Sequence, residues 1–418
     1  MQAAKTRRNP LMLRSLRPFA PSPKPAHSSA SGAWSVAIVR RAPTRRWLAA
    51  IATLGACTLF AGYVAMRSVP WFGPFVADTL RAAVGIERVA LLEQWLAAAE
   101  DRVEQTVHRA PPRSLADSMP EELLVASGSQ EQLPQPEQLT LPDVGPLFAA
   151  TANSADGTWQ DVPLRSGNGA MVGTLIHPDP ERVYAELSVF ALDLKRLRLH
   201  AVAGSVEPKR PEDSPELERP GVVPQRDREQ LVAAFNGGFK AEHGHFGMMV
   251  DGTELLAPRK HSCTLAAHVD GSLQIAPWSR LSARAAEFSW WRQTPGCMLE
   301  DGVLHPGLSQ EDSRNWGATL EGKTVIRRSA VGLSRDGRTL FVGISNYTTA
   351  RALALGMQHV GAVSVAQLDV NFSYPRFLLY QQKGAELKAI GAVKGLLYKS
   401  DEYVGRPSTR DFFYVTAK

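Results

Sequence analysis

The stretch AAFNGGFKAEHGHFGMMVDG, residues 233–252, carries the densest group of side chains that could do chemistry. Its apolar start is typical of a strand, and the Asn236-Gly237-Gly238 sequence then allows a tight turn. The polar residues that follow within six positions are Lys240, Glu242, His243 and His245. A turn alone explains the glycines, whereas a loop that binds phosphate or transfers protons also explains the lysine and the histidines. The loop therefore predicts catalytic roles for Asn236 and His245, and substrate contacts for Gly237, Gly238 and Lys240.

A carboxylate stands at the end of a second apolar strand, in VAQLDVNFS, residues 365–373. Burial of Asp369 there is costly unless the side chain caps a loop or serves a site. If the strand continues, Asn371 and Ser373 point to the same face as Asp369. This row predicts a catalytic Asp369 beside two substrate-binding side chains.

An arginine follows a third strand-like run. Arg328 comes after TVI and before SAVGL, and its guanidinium fork matches the geometry of a phosphate group. Arg327 beside it must then point to the other face of the strand. An exposed ion pair is the alternative, but we expect Arg328 to hold substrate.

The histidines do not define a metal site. In an extended loop His243 and His245 point the same way, but a metal site needs a third ligand. Glu242, Asp251 and His261 are candidates, and no motif selects one of them. Glu300 and Asp301 are better explained as a turn pair. We expect no cofactor; a divalent cation could bind, but nothing in the sequence indicates one.

The charge of the chain is uneven. Its 418 residues hold 47 Lys and Arg against 41 Asp and Glu, a net charge of +6. Residues 1–46 contain ten of these bases and no acid, which leaves 37 bases against 41 acids in the remainder. The folded part is therefore slightly acidic, which argues against a general nucleic-acid-binding protein.

The basic tail precedes an apolar segment. WLAAIATLGACTLFAGYVAM, residues 47–66, is uncharged and as long as a membrane-spanning helix requires. The positive-inside rule then places 1–46 in the cytoplasm and everything after 66 in the periplasm or outside the cell. A cleaved signal peptide and a buried core helix are the alternatives. Outside the cytoplasm Cys263 and Cys297 are free to form a disulfide, although the sequence does not decide whether they pair.

Composition divides the chain further. We expect a disordered tail over 1–46, the membrane helix over 47–66, a juxtamembrane helix over 67–108, a Pro/Gln/Glu-rich linker over 109–149, and one folded domain over 150–418.

Turn signals indicate the fold of that domain. Asp-Gly pairs begin at Asp251, Asp270, Asp301 and Asp336, each between apolar runs, and this dipeptide is the strongest short signal for a hairpin. The segment 348–362, TTARALALGMQHVGA, predicts a helix between two strands. The sequence thus predicts an α+β domain of mixed, largely antiparallel sheets with a few helices, preceded by one transmembrane helix.

Five segments, in order, resemble the phosphodiester glycosidase family over roughly residues 180–375. They are AAFNGGF (233–239), GMMVDG (247–252), PGCMLEDGVL (295–304), IRRSAVGLSRDGRTLFVGIS (326–345), and VAQLDVNFS (365–373) with the helix before it. The last departs from the family, which reads Leu-Asp-Gly-Gly-Gly-Ser where this chain has Val370, Asn371 and Phe372 between Asp369 and Ser373.

The resemblance implies a membrane-anchored hydrolase outside the cytoplasm that cleaves a sugar phosphodiester in an envelope glycan. Asp369 would be one catalytic carboxylate, Arg328 would hold the phosphate, and Asn236 and Ser373 would donate hydrogen bonds. Because larger side chains replace the glycines after Asp369, a non-catalytic polysaccharide-binding module on the same fold is an alternative. An assembly protein of an envelope complex is another. The expected partners are a glycan and the membrane, not nucleic acid.

Overall fold

A computed structural model describes residues 45–69, 72–107, 114–126, 138–165, 169–212, 217–309, 316, 324–370 and 373–418. Asn371 and residues 1–44 of the basic tail lie outside these ranges. The chain divides into two units, residues 1–58 and 59–418. Its helices are α1 (Arg45–Ser68), α2 (Phe72–Val84), α3 (Ile86–Val107), α4 (Leu115–Ser118), α5 (Glu121–Ala126), α6 (Trp278–Leu281), α7 (Pro306–Ser309) and α8 (Ala350–His359).

The membrane segment was predicted within α1. Across the ranges that the structure describes, no helix combines the length and the apolar character that a membrane crossing needs. The span expected over 47–66 is therefore not confirmed.

Three sheets make up most of the second unit. The first has the order β1 (Gln160–Asp161), β2 (Met171–Ile176), β3 (Leu187–Asp193), β14 (Thr339–Thr348), β13 (Ile326–Leu333), β15 (Ser364–Gln367), β11 (Leu299–Glu300) and β12 (Val303–Leu304). The second is β7 (Thr253–Leu256), β6 (Met248–Val250), β10 (Phe288–Thr294), β8 (Cys263–His268) and β9 (Leu273–Pro277). The third is β17 (Glu386–Gly391), β16 (Phe377–Lys383), β5 (Leu231–Asn236), β18 (Phe412–Ala417) and β4 (Leu197–Val202). The α+β fold with largely antiparallel sheets is confirmed.

Each Asp-Gly pair joins two neighbouring antiparallel strands, as predicted. At Asp251 and Asp301 both residues of the pair have positive φ, as a type I′ turn requires. At the other two pairs only the glycine does. There the aspartate side chain accepts a hydrogen bond from the backbone two residues on, as in Asp270 Oδ1 with the N–H of Ser272 (2.8 Å).

Helix α8 is the predicted crossover between strands. It connects β14 to β15, which lie on either side of β13 in the first sheet. The hydroxyl of Thr349 caps it by accepting the N–H of Ala352 (3.1 Å). Buried Leu353 and Met357 pack the helix against the sheet. The sheet end where β13 starts and β15 finishes is thereby held in place.

The region before residue 150 differs from expectation. Two helices, α2 and α3, stand where one was predicted, and they meet at Gly85, whose φ is +91°. Within the predicted linker, α4 and α5 bury Leu115, Met119 and Leu123 in the main core. Leu115 lies on α4 and Leu123 on α5, and Met119 lies in the extended connection between them, so the apolar pattern is interrupted and lies among polar neighbours. Residues 114–126 are thus part of the folded core.

Aromatic contacts hold the first sheet against the third. The ring of Phe377 stacks on Phe190 at 4.5 Å and on Phe235 at 6.0 Å between ring centroids. Phe235 is the residue before Asn236, so this packing brings the end of β5 close to the start of β13. Cys263 and Cys297 form a disulfide across the second sheet and the loop before β11.

Replacing both Cys263 and Cys297 with alanine should lower the free energy of unfolding by about 2–4 kcal/mol, because the bond closes a loop of 34 residues. Urea unfolding of the oxidised protein measures the loss. Cys57→Ser, at an exposed free cysteine, is the control and should change nothing. Equal stability of the double variant and the wild type would contradict the pairing.

Candidate functional site

The turn after β5 is built around a buried ion pair. Arg292 on β10 donates from Nε to Asp411 Oδ2 (2.8 Å) and from Nη2 to Oδ1 (3.1 Å). The N–H of Gly238 donates to the same carboxylate (2.8 Å), and the N–H of Gly237 to the carbonyl of Asp411 (3.1 Å). Both charged side chains are buried. The glycine amides that were expected to contact substrate therefore bind Asp411, Gly238 through the carboxylate and Gly237 through the main-chain carbonyl.

Close approach explains why both turn residues are glycines. A Cβ on Gly237 would lie 2.2 Å from Asp411 Oδ2, and one on Gly238 would lie 2.7 Å from Arg292 Cζ. Both distances are too short for non-bonded atoms. The Gly237-Gly238 sequence is therefore explained by the close approach of the buried ion pair.

Arg292 also closes the polar loop that follows the turn. Its guanidinium donates to the carbonyl of Phe239 (2.6 Å) and to that of Phe246 (2.7 Å), which begin and end the loop. The rings of the two phenylalanines meet edge to face, with centroids 5.8 Å apart. Arg292 therefore holds the two ends of the loop 240–245 together.

Asn236 joins several segments. Its side-chain oxygen accepts the hydroxyl of Ser329 (3.0 Å) and the N–H of Arg376 (3.1 Å). Its side-chain nitrogen donates to the carbonyls of Gly237 (3.3 Å) and Asp369 (3.5 Å). Because the side chain is fully buried and engaged, its role is to position its neighbours, not to act on substrate.

Asp369 lies next to this turn. Its N–H donates to the carbonyl of Gly237 (3.2 Å), and its carboxylate pairs with Arg410. Strand β15 ends at Gln367, so Asp369 sits in the loop beyond the strand and the predicted alternation does not apply. Ser373 is buried and its carbonyl accepts Arg376 Nη2 (2.7 Å). Asn371 lies outside the described residues.

Arg410 was missed by the sequence reasoning. Its guanidinium lies 4.2 Å from the centroid of the Tyr374 ring, and Nη2 also reaches the carbonyl of Gly238 (3.4 Å). Its Nε is buried without a hydrogen-bond partner among the described residues. Burial lowers the pKa of Arg410 to about 10, opposed by the charges of Asp411 and Glu207. The side chain is therefore still a cation at neutral pH.

The polar loop borders this pair. Lys240 Nζ and Glu242 Oε1 form a salt bridge (3.2 Å), and the loop is anchored by the N–H of Ala241 on Glu207 Oε2 (3.0 Å). Burial lowers the pKa of His243, with Glu242 opposing and the charge of Arg410 contributing. His243 is thus the loop histidine coupled to Arg410. His245, the predicted catalytic residue, is exposed, and its backbone has a φ of +49°.

Arg328 does not reach the site. Its guanidinium donates to the carbonyl of Trp316 (2.7 Å), to Gln367 Oε1 (3.1 Å) and to the carbonyl of Thr348 (3.2 Å). The side chain is fully buried, and burial lowers its pKa to about 9. The expectation that Arg328 holds a phosphate is corrected, because carbonyl and amide oxygens of the protein occupy its donors.

No three His, Cys, Asp or Glu side chains are close enough to hold a metal ion in the part of the chain that the structure describes. The residues that were missed share the sequence feature that identified Asp369: each is a charged residue next to or inside an apolar strand. RDFFYV places Arg410 and Asp411 directly before an apolar strand, and WWRQT places Arg292 inside one. Each is a charge that burial would make costly without a partner.

No family model matches the chain, and no curated protein matches it significantly. Among solved structures, the zebrafish N-acetylglucosamine-1-phosphodiester α-N-acetylglucosaminidase catalytic domain, auto-inhibited by its pro-peptide, is 14% identical over 62% of this chain and 88% of that chain, with a TM-score of 0.40. A hypothetical protein from Synechocystis is 11% identical over 61% and 64%, with a TM-score of 0.35. An exported protein from Burkholderia pseudomallei is 12% identical over 56% and 74%, with a TM-score of 0.24.

Asp411→Asn should lower the free energy of unfolding by about 3–5 kcal/mol, because it leaves Arg292 charged and buried without its counter-ion. Asp301→Asn is the matched control. Asp301 pairs with Arg280 at 2.9 Å, but both are exposed, so its loss should cost about 0–1 kcal/mol. Urea unfolding at pH 7 compares them, and similar losses for the two variants would contradict the assignment.

Proposed function

We propose that the protein hydrolyses a sugar phosphodiester at the Asp369–Arg410 pair. Two independent features support this. One is the resemblance of five ordered segments to the phosphodiester glycosidase family. The other, which carries the proposal, is that Arg410 keeps an unused donor beside a carboxylate at the end of a core strand.

The unused donor suits an anionic substrate. A buried polar group without a partner costs about 1–3 kcal/mol, and such groups are uncommon enough to need a reason. Arg410 Nε and its neighbouring terminal nitrogen form a planar fork that matches two phosphate oxygens. In this proposal Arg410 takes the role that the sequence suggested for Arg328.

The reaction assigns one task to each member of the pair. A water oxygen attacks the anomeric carbon, the bond from that carbon to the phosphate oxygen breaks, and the phosphate leaves with the electron pair. Asp369 accepts the proton of the water and passes it to solvent. Arg410 balances the charge that grows on the phosphate. Because a phosphate is a good leaving group, strong acid assistance is not needed, and one carboxylate suffices.

The loop 240–245 would border the substrate. Lys240, paired with Glu242, lies at this border, and the pKa of His243 is lowered by desolvation. Arg292 binds the carbonyls at both ends of this loop. Asp369 is only 2% exposed, so substrate entry requires this border or the neighbouring segment to shift.

That burial also favours a second candidate. If Asp369 and Arg410 serve only each other, the same cleft could bind an envelope polysaccharide without turnover. The larger side chains that replace the family's glycines after Asp369 also favour binding without turnover.

The first test measures release of free sugar from a panel of sugar-1-phosphodiesters, including one with N-acetylglucosamine. We expect Asp369→Asn to lower kcat/KM by at least about 100-fold, the usual contribution of a general base. Arg410→Lys, which keeps the charge but loses the fork, should cost about 10- to 100-fold. The protein should include residues 114–126, which are part of the core.

Arg335→Gln is the control, since Arg335 is exposed on a hairpin turn. Thermal melting shows whether each variant is folded. Release of sugar that persists in folded Asp369→Asn would remove Asp369 from the mechanism. Binding of a glycan without release by the wild type would select the second candidate.

Membrane attachment through residues 47–66, with the C-terminal domain outside the cytoplasm, remains a separate proposal. It is supported by the uncharged sequence and by Leu54 and Phe60, which are exposed on α1. Leu54→Arg with Phe60→Arg should move the protein from the carbonate-resistant membrane pellet to the supernatant, because charge is costly inside a bilayer. Arg45→Gln, outside the apolar segment, is the control. Wild type in the supernatant would end the proposal.

A further inference from the structure

A cavity of about 170 Å³ lies over the ends of β3 and β14, with Glu104 of α3 forming another part of its wall. Its volume equals that of about five or six water molecules in the liquid. None of the residues of the Asp369–Arg410 pair lines it. It is therefore a separate place in which a small molecule could bind.

One side of the cavity is acidic. Glu186, directly before β3, makes no hydrogen bond or ion pair with any residue in the described ranges. Burial raises its pKa to about 7, while the charge of His177 opposes and that of Asp156 adds to the effect. Glu104 contributes a second carboxyl group. The cavity lining thus includes two carboxyl groups, those of Glu186 and Glu104.

The cavity lining also includes two aromatic rings. Tyr184 and Tyr347 line the cavity, and their rings meet edge to face with centroids 6.5 Å apart and planes at 74°. The face of a tyrosine ring attracts cations. Arg182, the cation beside Tyr184, is already paired with Asp101 (2.9 Å) and Asp179 (3.1 Å).

A buried hydroxyl completes the lining. Ser345 is 2% exposed, and its Oγ has no hydrogen-bond partner in the described part of the chain. Native proteins leave few such atoms without a partner, so a ligand or a water is expected there. A ligand with one hydrogen-bonding group besides its charge would satisfy it.

We propose that this cavity binds a small organic cation that carries an ammonium group and a hydroxyl, with Glu186 and the two tyrosine rings around the ammonium and Ser345 on the hydroxyl. An organic cation fits better than a metal ion, because no cluster of three metal-binding side chains occurs among the described residues. The proposal does not depend on the hydrolase activity.

Choline is the probe, and 3,3-dimethylbutan-1-ol, which has the same shape without the charge, is its control. Isothermal titration calorimetry at pH 8 should show choline binding to the full chain with a Kd of about 1 mM or tighter, and weaker or no binding of the alcohol. Glu186→Gln should weaken choline binding at least about tenfold, and Tyr347→Leu should weaken it also. Glu254→Gln, on exposed β7, should leave it unchanged.

The pH dependence of choline binding tests whether the charge of Glu186 contributes to the affinity. The groups around Glu186 that could also titrate or carry charge are His177, Asp156, Glu104, Tyr184, Tyr347 and Arg182. Choline binding should weaken as pH falls from 8 to 6, because Glu186 takes up a proton and loses its charge. Glu186→Gln should remove most of that dependence, and an unchanged dependence in this variant would contradict the role of Glu186.

Three results would overturn the proposal. They are equal affinity for choline and the uncharged alcohol, unchanged affinity in Glu186→Gln, and the absence of choline binding at millimolar concentration. Glu186→Gln should fold, since it removes a charge that burial disfavours, and a melting temperature at pH 8 no lower than that of the wild type shows this. Tyr347→Leu provides the second, independent variant. Competition of choline by calcium would favour a metal site instead.

Discussion

The buried pair of Arg292 and Asp411 is the contact on which the rest of the site depends. A guanidinium and a carboxylate without solvent are stabilising only when nearly every donor and acceptor is used. Here the arginine also binds the carbonyls of Phe239 and Phe246, and the carboxylate also takes the N–H of Gly238. Removing any one of these contacts would leave a charge partly unsatisfied.

This requirement links three strands that are distant in sequence. Arg292 lies on β10 of the second sheet, while Asp411 directly precedes β18 of the third sheet and the glycine turn directly follows β5. Because Arg410 is the residue before Asp411, fixing Asp411 also fixes the position from which Arg410 reaches Asp369. The Asp369–Arg410 pair is therefore placed by an ion pair to which it does not belong.

Local signals explain what could be predicted. The Asp-Gly hairpins and the threonine-capped helix depend on a few neighbouring residues, so one sequence is enough to identify them. The proximity of Asp369 to the Asn236 turn could be predicted because both end apolar strands. Placing α4 and α5 in the core could not, because their apolar spacing is short and lies within polar sequence.

Partners distant in sequence explain what could not be predicted. Arg292 and Asp411 are separated by 119 positions, and no sequence pattern near either residue identifies the other as its partner. Arg327 and Arg328 are adjacent and both buried, so strand alternation says that they diverge but not which side faces substrate. In the structure Arg327 donates to Asn346 Oδ1 (2.9 Å) and Arg328 to the carbonyl of Trp316 (2.7 Å).

The buried arginines Arg292, Arg328 and Arg410 differ in how many of their hydrogen-bond donors are used. Arg292 is neutralised by a carboxylate and bound to carbonyls at each end of a loop. Arg328 donates to protein oxygens, with no acidic partner among the described residues, and burial lowers its pKa to about 9. Arg410 has a carboxylate, an aromatic face and a carbonyl, yet its Nε is without a partner among the described residues. Folding alone would favour satisfying that donor, so the unused hydrogen bond is the physical reason why the proposed function places substrate at Arg410 and not at Arg328.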